Sequence, residues 1–137
     1  MLAAWNSVIA GFPVLLVQLA TTTLLFIIGL AIYIWLTPYR ELKLIREGNV
    51  AAAITLSGQM LALAIPLGGM LAHSVNLADI VLWGVVALIL QLIAFAAAAV
   101  LVRHLPQAIE RGDIASALVL AAAQIVAGIF NAAAMSG

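Results

Sequence analysis

Cysteine is absent from this chain, and charge nearly so: five Lys/Arg and five Asp/Glu are spread over 137 residues. The first absence excludes a disulfide framework, a thiolate nucleophile and a thiolate metal site. The second excludes a water-facing surface, because a soluble domain carries about 25% charged residues and this chain carries 7%. A soluble enzyme, a nucleic-acid binder and a disordered tail are therefore set aside on composition alone. The balance of the two signs leaves no net charge to steer an acidic or basic partner. What is abundant is hydrocarbon: 67% of the residues are hydrophobic and the mean hydropathy is +1.30. The fold class expected is all-α, a single polytopic membrane domain covering residues 1–137.

Four stretches are free of Asp, Glu, Lys and Arg and reach the roughly 20 residues that a hydrocarbon core of about 30 Å requires: Pro13–Leu36, Val50–Leu71, Ile80–Val102 and Ile114–Met135. No strand alternation suggests a barrel, so helices are expected to carry the spans and satisfy their own backbone. Met1–Phe12 lacks the basic start and cleavage site of a secretory signal. It reads either as an interfacial stretch, with Trp5 and Phe12 at the headgroups, or as a frayed tail. All five basic residues, Arg40, Lys43, Arg46, Arg103 and Arg111, fall in the first and third connectors. By the positive-inside rule those connectors are expected to be cytoplasmic and both termini outside.

A slide of 64 residues lays Ile45–Ile65 on Ile109–Ile129, with identities at 45, 48, 51, 53, 56 and 65 and their partners. Gly48 and Gly112 each close a basic segment, and Asn49 and Asp113 each stand where a helix N-cap belongs. This pattern suggests two parallel two-helix repeats related by an axis along the membrane normal, although any helical hairpin needs a cap and a glycine at such places. Pro38 and Pro106 are expected in the first turns of short connector helices. Tyr39, Leu42 and Ile45 would form the apolar face of the first, lying in the interface. The basic groups there either meet anionic headgroups, at about 1 kcal/mol each, or only set topology.

The span interiors offer amides, hydroxyls and glycines. Gln59, Gln91 and Gln124 fall at one depth, roughly 14–17 Å from the connector ends, each within a stripe of small residues. Gly84, Ala87, Gln91, Ala94 and Ala98 share a face, as do Ala117, Ala121, Gln124, Gly128 and Asn131. Ala52, Thr55, Gln59, Ala62 and Pro66 form the third stripe. An unpartnered amide in hydrocarbon costs about 1–3 kcal/mol, so each glutamine should turn inward. These amides with Asn131 are either interhelical glue or the lining of a polar path. Pro66, followed by Gly68-Gly69, is either an ordinary kink or the broken helix of a solute site.

Asp79 is expected to cap the third span. His73 and His104 lie at opposite ends, so no metal pair arises, and no cofactor is expected. With no nucleophile beside a base and no phosphate loop, no catalytic residue is assigned and an enzyme is not expected.

Several of these residues also resemble a known pattern. Thr37-Pro38, Gly48-Asn49-Val-Ala-Ala-Ala, Ser57-Gly58, Ile65-Pro66-Leu67, Trp83-Gly84 with Gln91, and Gly128-Ile-Phe-Asn-Ala-Ala-Ala-Met135 resemble the YjfL-like family of small bacterial inner-membrane proteins. The resemblance runs from about Leu25 onward, with a more alanine-rich fourth helix. It implies four spans in a bacterial inner membrane and an envelope-maintenance setting, and it supplies no activity. Two functions follow as expectations. One is a homo-oligomeric structural module, or one docking a cytoplasmic protein partner, motivated by a surplus of small-residue seams. The alternative is a permeation pathway for a small ion or solute, lined by Gln59, Gln91, Gln124 and Asn131.

Overall fold

A computed structural model describes residues 1–74 and 76–137, leaving Val75 of the second connector outside the described residues. Six helices follow one another: α1 Leu2–Leu36, α2 Glu41–Arg46, α3 Val50–His73, α4 Leu77–Leu101, α5 Leu105–Glu110 and α6 Ile114–Met135. The four long ones are apolar and long enough to cross a membrane. Each half of the chain thus runs long helix, six-residue helix, long helix.

The first span starts eleven residues before the expected Pro13, at Leu2, and α1 is 35 residues long. Nothing from Leu2 to Phe12 stops a helix, and the Ser7 hydroxyl donates back to the Ala3 carbonyl at 3.0 Å. Pro13 removes one N–H, freeing the Ile9 carbonyl, and the helix continues through it. At 1.5 Å per residue α1 measures about 52 Å, well beyond the hydrocarbon core.

The helix starts of the two halves are built alike. The chain turns at Gly48 (φ 85°) and Gly112 (φ 77°), a left-handed conformation that a side chain would strain. Asn49 then accepts from the Ala52 N–H at 2.9 Å, and Asp113 from the Ser116 N–H at 3.2 Å. Asn49 also donates through Nδ2 to the Ile109 carbonyl at 2.8 Å, tying the first connector to the second half. The cap of α4 is Asn76 and not Asp79: Asn76 accepts from the Asp79 N–H at 2.9 Å, while Asp79 accepts from Asn76 Nδ2 at 2.9 Å. This pair of bonds holds Asp79 in the first turn, where an acidic group suits the helix dipole.

Pro106 lies in the first turn of α5, as expected, whereas Pro38 precedes α2 by two residues beyond its N-cap Arg40. The faces of α2 also differ from expectation. Leu42 is exposed and Glu41 is buried. A membrane inverts the usual argument: Leu42 can face lipid at no cost, and a carboxyl gains most from polar neighbours inside.

α3 and α6 make the most extensive contact, α4 packs on both, and α1 leans on α3 and α4. The α3–α6 seam is close because of two glycines. A Cβ on Gly58 would lie 2.6 Å from the Ala121 Cβ, and one on Gly128 would lie 2.6 Å from the Ala62 carbonyl oxygen. That oxygen is the one left without its i+4 donor by Pro66, so the proline in α3 and the glycine in α6 meet at one point. Small residues carry this approach, as in membrane helix pairs generally. The seams are consumed within the protomer: Ala52, Ala62, Ala87, Ala98, Ala117 and Ala121 are all buried.

Candidate functional site

Along the bundle axis the structure brings together the polar residues of three helices. Gln59 of α3, Gln91 of α4 and Gln124 of α6 are each at most 1% exposed. Gln124 Nε2 donates to Gln59 Oε1 at 2.8 Å, and Gln91 Nε2 donates to the Gln124 backbone carbonyl at 3.0 Å. Two turns further along α6, Asn131 Nδ2 donates to the Ala87 carbonyl at 3.1 Å. The three glutamines and Asn131 therefore form one ladder, with every step crossing between helices. Pro66 is buried on the same face of α3. Four amide atoms on the ladder lack a partner: Gln59 Nε2, Gln91 Oε1, Gln124 Oε1 and Asn131 Oδ1. Gln18, Thr21 and Thr22 do not join it; Thr21 and Thr22 bond to carbonyls one turn back in α1, at 2.8 and 2.9 Å.

At the connector end the ladder meets a cluster that composition and spacing do not single out. Glu41, at 1% exposure, accepts through Oε1 from the Tyr33 hydroxyl at 2.8 Å and the Thr55 hydroxyl at 3.0 Å. Tyr33 packs edge-on against Phe95, ring centroids 4.8 Å apart, and its hydroxyl lies beside the Gln124 side chain. Tyr39, also buried, turns its hydroxyl into the same cluster without a direct hydrogen bond, and Glu41 Oε2 is likewise unpartnered. Among the described residues the one ion pair is the exposed Lys43–Glu47 at 3.8 Å, so no cation neutralises Glu41. Burial pushes the Glu41 carboxyl above its ordinary range, against the pull of the Tyr33, Thr55 and Tyr39 hydroxyls. Burial, with Glu41 beside it, pushes the Tyr39 phenol up to about 12. A trace of Glu41 is present in the sequence: the 64-residue slide sets it on Leu105, each the first residue of its short helix and each buried.

The basic residues Arg40, Lys43, Arg46, Arg103 and Arg111 are all exposed, in or beside the two short helices. A cleft of about 410 Å³ opens beside two of them, Arg40 and Lys43, and is walled further by Tyr39, Glu47 and Glu110. No group of three or more metal-binding side chains occurs among the described residues.

A bundle of four apolar helices whose interior carries hydrogen-bonded amides is that of an integral membrane protein. The family described as Domain of Unknown Function (DUF350) matches residues 7–135. UPF0719 inner membrane protein YjfL of Escherichia coli K12 is 36% identical over 110 residues, covering 80% of this chain and 83% of that protein. The protein of the same name from Escherichia coli O157:H7 matches to the same extent. No solved structure matches the chain. The chain belongs to the DUF350 family and, with its YjfL relatives, is an inner membrane protein.

Proposed function

We propose that this protein is a non-enzymatic structural module of the bacterial inner membrane, acting as a homo-oligomer that docks a cytoplasmic partner and contributes to envelope maintenance. The observation that carries the reading is the buried ladder: glutamine amides at most 1% exposed and bonded helix to helix hold a protomer shut. The bundle is arranged as two parallel repeats, supported by the matching cap and glycine at each connector. Both termini lie on the periplasmic side, supported by the placement of all five basic residues at the connector end.

The contact between copies is made by the free end of α1. Leu2, Trp5, Val8, Ile9 and Phe12 are all more than half exposed on the part of α1 that overreaches the bundle. A helix of about 52 Å must tilt or find protein for that end. The exposed Arg40, Lys43, Arg46, Arg103 and Arg111 form the docking face for an acidic partner surface beside anionic headgroups. Particle mass in lipid nanodiscs tests the assembly. The full chain should give a defined oligomer and a chain lacking residues 2–12 a smaller species; a strict monomer in both contradicts it.

A second reading has its own support. The unpartnered oxygens of Gln91, Gln124 and Asn131 would suit a pathway for a small ion or solute if lipid or assembly opened the ladder. Flux into liposomes that falls when the glutamines are changed to leucine would favour it; unchanged flux with an intact fold would dismiss it.

A further inference from the structure

We propose that Glu41 is a proton-binding site that loads and unloads from the connector-side cleft past Tyr39 and is closed toward the opposite side by the amide ladder. The inference stands apart from the assembly reading, since it concerns one protomer.

Four observations converge on it. Glu41 is 1% exposed and unpaired with any cation among the described residues. A buried carboxylate in that position needs either a counter-charge or a proton. Its two oxygens are not equivalent: Oε1 takes two hydroxyl donors, while Oε2 has none. A proton on Oε2 leaves Oε1 as the carbonyl-type acceptor that Tyr33 and Thr55 already address. The second unpartnered oxygen in the cluster is the Tyr39 hydroxyl, beside the carboxyl without a direct hydrogen bond, so neither atom is committed to another group when a proton arrives. Finally, Tyr39 also lines the open cleft, so a single residue separates the cleft from the site.

The surroundings are neutral on every other side. α1 presents Tyr33, the connector Tyr39, α3 Thr55 and α6 Gln124, while Arg40, Lys43, Glu47 and Glu110 are exposed at the cleft. Loading transfers one proton from hydronium in the cleft to Oε2 and releases water. Tyr33 passes no charge inward, because beyond it lie neutral amides buried from solvent.

The test is infrared spectroscopy of the full chain in liposomes, following the protonated-carboxyl band against pH. The band should persist above the ordinary glutamate range and be missing in Glu41→Gln. Thr55→Val and Tyr39→Phe remove groups that favour the charged form and should raise the midpoint by about 1 pH unit. Both keep the carboxyl, so they decide the matter even if Glu41→Gln fails to fold. A band that titrates like free glutamate, or is unchanged in Glu41→Gln, overturns the site. A midpoint displaced when sodium replaces a bulky organic cation also overturns it, assigning the oxygens to a metal cation. The same liposomes should hold a pH gradient; dissipation that depends on Glu41 overturns the closed end.

Discussion

At the scale of single residues, the glycines of the α3–α6 seam separate contact from accident. Gly128 faces backbone, with the Ala62 oxygen 2.6 Å from where its Cβ would start, while Gly68 faces nothing within 4 Å. Gly128→Ala should destabilise by about 1–3 kcal/mol, and Gly68→Ala should be neutral or slightly stabilising. Unfolding in an SDS titration measures both; equal effects would refute the seam. Titration adds a second test. Glu41 holds its proton more tightly when folded, so its contribution to stability is fully present at low pH and is lost as pH rises from the ordinary carboxyl value of 4.5 through its raised one. Asp113 behaves oppositely: bonds from the Ser116 hydroxyl and N–H lower its value, and its contribution disappears as pH falls through that lowered range. Glu41→Gln should flatten only the fall that begins above pH 4.5, and Asp113→Asn only the acid fall, in stability measured against pH. Asn49 and Asp113 were legible because a cap is a local event beside a glycine. Glu41 was not: the Tyr39, Leu42, Ile45 spacing points an apolar face inward, and lipid removes the penalty for turning Leu42 out.

At the scale of elements, the ladder couples helices that hydropathy alone would leave free to slide. Gln124→Leu leaves both amide atoms of Gln59 without partners, whereas Gln59→Leu with Gln124→Leu removes the group altogether. A double-mutant cycle should therefore return a coupling of about 0.6–1.7 kcal/mol; additive losses would mean the two amides do not interact. The level of the three glutamines followed from counting residues into each span, and the small-residue stripes followed from helical spacing. Which amide donates to which did not, since it depends on helix rotation and close approach at Gly58 and Gly128. The start of α1 also escaped a reading centred on hydropathy, because a helix with no breaker runs on through Pro13. Asn76, a strong N-cap residue followed by an acidic residue in the first turn, is a signal that could have placed the start of α4.

The whole molecule is a bundle bonded helix to helix through its interior, with basic groups gathered at one end and an overlong apolar helix leaving the other. Cysteines introduced singly at Arg46 and Ser136 should react with a membrane-impermeant maleimide from opposite sides of intact cells, Ser136 from the periplasm. Labelling of both from one side would contradict the topology. The central claim, that the ladder is dry, is tested most directly by water-edited solid-state NMR of side-chain ¹⁵N-labelled glutamine in lipid bilayers. Gln59, Gln91 and Gln124 should show no transfer from water while the exposed Gln107 does. Transfer to the three buried amides as fast as to Gln107 would show an open, wetted interior and contradict the account.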